Sequence, residues 1–149
     1  MKIAFHIDNL SFRGTTTAVW DYAFYNQTIL GNESVIIFDS SIKHSLQDEN
    51  FKRKNDVLQR YNIFETIEYE GIVGLENKLN KNNCDYVYFL KAGFDDGYYP
   101  SDTKTLVHSV FNHYQPHGHK YAYISKWLSD EASGGKVDFV PHIVQLPQE

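Results

Sequence analysis

The sequence predicts a doubly wound α/β domain, a parallel sheet with helices on both faces, of Rossmann-like type. Three observations predict it. Short β-branched or aromatic runs alternate with longer polar runs of helical period. The run Val35-Ile36-Ile37-Phe38 is apolar on both faces, as suits a strand covered on each side. Strand, helix and strand follow at a spacing that calls for right-handed crossovers, one helix per strand, and so for parallel strands. The 149 residues suffice for one such domain and are too few for two ordinary ones.

The elements follow in order. Lys2 to Ile7 is a short β-branched first strand. Thr15 to Leu30 is a helix with Val19, Tyr22, Ala23, Asn26, Ile29 and Leu30 near one face, stopped by Gly31-Asn32. Glu33 to Phe38 is the second strand. Ser45 and Asp48 have the spacing of a capping box and open a charged helix to about Tyr61. Ile63 to Tyr69 is the third strand, Gly74 to Asn83 a short helix, and Asp85 to Leu90 the fourth strand. Thr103 to Phe111 holds a fifth strand and Lys120 to Ile124 a sixth. A helical turn from Ser125 to Ala132 and a last strand, Val137 to Val140, complete the pattern.

Composition narrows the function. With 42% hydrophobic and 15% aromatic residues, the chain can build a core. A net charge of −5 disfavours a sequence-independent nucleic-acid binder. The single cysteine, Cys84, excludes an internal disulfide framework and a cysteine-rich zinc module. No apolar run reaches the roughly 20 residues of a membrane span, and Asp8 comes too early for a secretory signal. The expected setting is cytoplasmic.

In doubly wound sheets, ligands sit outside the carboxyl ends of the strands. The loops to inspect are Asp8 to Thr16, Asp39 to Ser45, Lys91 to Asp102, Phe111 to His119, and Ser125. The first holds Arg13, Gly14, Thr15 and Thr16 at a helix start. Free N–H groups, the helix dipole and a guanidinium there suit a phosphate or sugar hydroxyls. Alternatively, Gly14 makes a tight turn and Thr15 caps the helix. The loop is neither GxGxxG nor a Walker loop. Lys91-Ala92-Gly93-Phe94-Asp95-Asp96-Gly97 reads as an exposed loop able to approach a ligand, or as an ordinary turn.

Four histidines, His108, His113, His117 and His119, crowd one segment. His117-x-His119 has chelating spacing, but no acid lies between His108 and Lys120, so no tightly held metal is expected. His108 ends a strand near the expected cleft. It is either a hydrogen-bonded core histidine or a group poised to stabilise developing charge. Ser125 marks a strand-to-helix hand-over and reads first as a cap, Trp127 as core, and Cys84 as inert at the opposite end from the cleft.

Taken together, Met1 to Ile7 leading to Phe12-Arg13-Gly14-Thr15-Thr16, then Lys91-Ala92-Gly93, Leu106 to Phe111, Pro116 to His119 with Tyr121 to Ser125, and Val140 to Val144 resemble a known family. The chain is similar to the N-terminal, acceptor-side domain of a GT-B fold glycosyltransferase, in the GT4-like group with microbial and giant-virus members. The resemblance implies transfer of a sugar from a nucleotide-sugar to an acceptor. It implies a site in which His108 is catalytic and Arg13, Gly14, Thr15, Thr16, Lys91, Gly93 and Ser125 bind substrate, with no cofactor and no metal. It also implies a partner, the C-terminal donor-binding domain of the same enzyme, which would begin where this chain ends at Glu149. The isolated domain is then expected to be inactive. The alternative is a non-catalytic sugar- or nucleotide-binding α/β module.

Overall fold

The computed structural model describes residues 1–8, 14–43 and 59–143. Among the described residues, six strands form one sheet: β1 (Lys2–His6), β2 (Glu33–Asp39), β3 (Glu65–Tyr69), β4 (Tyr86–Lys91), β5 (Lys104–Ser109) and β6 (Lys120–Tyr123). Their spatial order is β3-β2-β1-β4-β5-β6, and every pairing is parallel. This is the strand order of the doubly wound dinucleotide-binding folds. The register places His6 between Ile37 of β2 and Phe89 of β4. On the other side, His108 lies between Leu90 and Ala122.

Helix α1 (Gly14–Thr28) covers one face and α2 (Gly71–Lys81) the other. Alternation along the strands sorts the side chains. Ile3, Phe5 and Ile7 join Ile36, Phe38 and Leu90 under Ala18, Val19, Tyr22 and Ala23 of α1. Ala4, Val35, Ile37, Val87 and Phe89 pack with Leu75 and Leu79 of α2. The third helix, α3 (Lys126–Ser133), follows β6. Among the described residues, no helix is long and apolar enough to cross a membrane.

Several expected boundaries move. Helix α1 ends at Thr28, so Ile29 and Leu30 are 71% and 69% exposed instead of sharing its buried face. Gly31 stops it with φ +68°. Helix α2 starts at Gly71, three residues before the expected Gly74. The charged helix from Ser45 lies outside the described residues, except for helical 59–60 at its end.

One crossover helix per strand does not hold. The β4–β5 and β5–β6 connections, residues 92–103 and 110–119, contain no helix. The first carries Gly93, Gly97 and Pro100, all poor helix formers. Tyr98 and Tyr99 from it pack against the α2-face core instead. The expected strand Val137 to Val140 is reduced to a single bridge between Tyr123 and Phe139. Beyond it the chain turns onto the α1 face, where Tyr22 Oη donates to Pro141 O at 2.7 Å.

Candidate functional site

Strand order reverses between β1 and β4, so the place for a ligand is outside their carboxyl ends. A small notch opens there, lined by His6, Ile7, Asp8, Thr15, Thr16, Val19 and Leu90. Thr15 is exposed on its rim and Thr16 is buried. The Thr16 carbonyl accepts from Tyr61 Oη, which ties the first turn of α1 to the core. Helix α1 already starts at Gly14, so Thr15 is within the helix and is not its cap. Nor does Gly14 make a left-handed turn, and a Cβ there would meet nothing within 4 Å. Arg13 lies outside the described residues.

A polar chain runs from the notch along the α2 face. His6 is 6% exposed in a strand that is otherwise apolar at its centre. Its Nε2 lies 2.6 Å from Tyr69 Oη, which lies 2.9 Å from Tyr98 Oη. Its Nδ1 is 3.0 Å from Asp8 Oδ1, though not in line for a hydrogen bond. Burial pushes the Tyr69 phenol well above its ordinary range, and the Tyr98 bond and nearby Asp39 and Asp8 add to the shift. Burial likewise raises Tyr98. Both phenols are therefore neutral relays of hydrogen bonds, not phenolate bases.

Lys91 was expected on an exposed ligand loop. It is 8% exposed, and its Nζ donates to Asp96 Oδ1 and Tyr98 O, both at 2.7 Å. The ammonium lies 4.7 Å from the Phe89 ring centroid. Burial alone would raise the Asp96 carboxyl. The Lys91 bond, the Tyr98 N–H and the Lys91 and His117 charges outweigh it and hold Asp96 below its ordinary value.

Gly93 is buried rather than offered to a ligand. Its φ is +108°, and a Cβ would fall 2.1 Å from Ser109 Oγ and 2.9 Å from Tyr121 Oη. Glycine is required there because the loop lies flat on β5 and β6.

His108 faces α1. Its Nδ1 is 2.7 Å from Tyr88 Oη and its Nε2 is 2.9 Å from Val140 O. The ring meets Tyr22 edge-on, with centroids 5.3 Å apart. Burial lowers its pKa, and the carbonyl contacts only partly oppose this. Both nitrogens are thus spent inside the fold. Ser125 caps α3, its Oγ accepting from Leu128 N–H at 3.1 Å. Trp127, expected in the core, is 68% exposed on α3. Cys84 lies at the amino end of β4, away from the notch, and burial pushes its thiol up to about 11.

Of the sequence-derived residues among those described, Thr15 and Thr16 line the notch. Lys91 is held by Asp96 and Tyr98, Gly93 lies against Ser109 and Tyr121, and His108 and Ser125 support other parts of the fold. His6, Asp8, Tyr69 and Tyr98 were missed. One signal was present: His6 is a polar residue closing an apolar strand at its carboxyl end. No protein-family model, curated protein or solved structure matches the chain at a significant level.

Proposed function

We propose that this chain is the acceptor-side domain of a two-domain, GT-B type glycosyltransferase, and that the notch beside β1 and α1 receives sugar hydroxyls or donor phosphates. The observation that supports the reading is the strand order, which reverses at this notch. The family resemblance supplies the chemistry. The first turn of α1 brings the positive end of a helix dipole to the notch, which Thr15 and Thr16 line. No acid in that turn repels an anion. Asp8, with its side chain 62% exposed, is an acceptor for sugar hydroxyls. In this reading the domain contributes position more than chemistry, and a second domain supplies most nucleotide contacts.

A non-catalytic sugar- or nucleotide-binding module is the second reading. The engaged nitrogens of His108 favour it, since they leave that ring no free donor for a reacting sugar.

Titration of isotopically labelled chain with simple sugars and nucleotide-sugars tests the proposal. Amide shifts are expected at Asp8, Thr15, Thr16 and Leu90, with weak affinity and no sugar transfer by the chain alone. Shifts confined to the amino ends of the strands, or sub-micromolar affinity for a nucleotide-sugar, would overturn it.

A further inference from the structure

The loops 92–103 and 110–119 meet on the α2 face and bring His117 to the adjacent pair Asp95 and Asp96. Asp95, Asp96 and His117 each offer one ligand atom, all within 4.8 Å of one another. His117 is 7% exposed and is stacked on Tyr99, with centroids 5.7 Å apart. Its Nδ1 lies 2.8 Å from Gln115 O. A carbonyl only accepts, so in the neutral ring the proton sits on Nδ1 and the lone pair on Nε2. That Nε2 is buried and has no hydrogen-bond partner among the described residues. Buried polar atoms rarely stay unpartnered. A backbone carbonyl holding one ring N–H is also the usual support for an imidazole that ligates through its other nitrogen.

We propose that Asp95, Asp96 and His117 bind a divalent first-row transition cation through His117 Nε2 and one oxygen of each carboxylate. The proposal does not depend on the glycosyltransferase reading. One imidazole with two carboxylates is a nitrogen–oxygen set suited to Zn²⁺. The imidazole ligand disfavours Mg²⁺ and Ca²⁺.

Both carboxylates keep an oxygen for the ion. Asp96 Oδ1 accepts from Lys91, and Asp95 Oδ1 accepts from Gly97 N–H at 3.0 Å. Gln115 positions both sides of the site, since its carbonyl meets His117 and its Oε1 accepts from Asp95 N–H at 2.9 Å. Three protein ligands leave a coordination position for water or an anionic oxygen. His119, the chelating partner suggested by sequence spacing, is not in the group.

Chelator-treated chain is titrated with Zn²⁺ by calorimetry, while the His117 ring nitrogens are followed by NMR. One Zn²⁺ per chain and a shift of His117 Nε2 are expected, with Mg²⁺ at least about tenfold weaker. Asp95→Asn, at an exposed position, is expected to leave metal-free melting unchanged and to weaken Zn²⁺ by at least about tenfold. Absence of one-to-one binding would overturn the proposal. So would undiminished affinity in Asp95→Asn, which would place the ion on other histidines such as His113 and His119.

Discussion

Replacing His108 with alanine tests how the α1 face is held. The substitution removes the 2.7 Å contact with Tyr88 Oη and the 2.9 Å contact with Val140 O. An orphaned buried polar group costs about 1–3 kcal/mol. Tyr88 bears that in full because burial around its hydroxyl already raises its pKa strongly. Val140 is 46% exposed, so its carbonyl can turn to water and costs less. The space left beside Tyr22 adds a cavity term. The sum is about 2–4 kcal/mol. For a chain of this length each kcal/mol moves Tm by about 2–4 °C, which gives a drop of about 4–16 °C. Thermal melting at neutral pH measures it. Tyr88→Phe in the same background completes a cycle: the double variant should lose less than the sum of the singles. A loss below about 0.5 kcal/mol, the range of ordinary surface changes, or strict additivity would refute this account of the ring.

The remaining predictions concern pH and the loops. The folded chain holds the His108 pKa below its ordinary 6.5, so the unfolded chain binds more protons around and below that pH. Its contribution to stability is full above about pH 6.5 and is lost as pH falls through the folded value. Tm should therefore fall from about pH 7 to about pH 5 more steeply in the native chain than in His108→Ala, and equal slopes would contradict this. Gly93→Ala forces a Cβ onto Ser109 Oγ at φ +108° and should cost more than about 2 kcal/mol in denaturant unfolding. Gly14→Ala, with open space around the site, should be neutral or slightly stabilising. Equal effects of the two glycine changes would sink the argument.

The sheet was legible because its signals are local. Val35 to Phe38 reads as a covered strand whatever surrounds it, and Ser125 reads as a cap from its place before Lys126-Trp127-Leu128. The site was less legible because it is made by pairing. Nothing near His6 in sequence announces Tyr69, which reaches it only because β1 and β3 flank β2. Asp95 and Asp96 look like turn residues until the 110–119 loop brings His117 to them. The sequence around His108 fits both a structural and a poised ring; its bond to Val140 depends on the chain returning across the α1 face after Phe139, which no local pattern reveals. Trp127 was misplaced because a short helix after the last named strand of the sheet has few neighbours to bury it.

Thr15→Trp asks whether the proposed ligand site is the notch at the reversal of strand order, because Thr15 is exposed on the notch rim and the bulky ring would fill the opening. Sugar and nucleotide-sugar titrations of the native chain and of this variant are compared by NMR, with melting recorded on the same samples. The shifts at Asp8, Thr16 and Leu90 are expected to vanish in the variant while Tm stays within a few degrees. Undiminished ligand shifts in a folded Thr15→Trp chain would contradict the proposal.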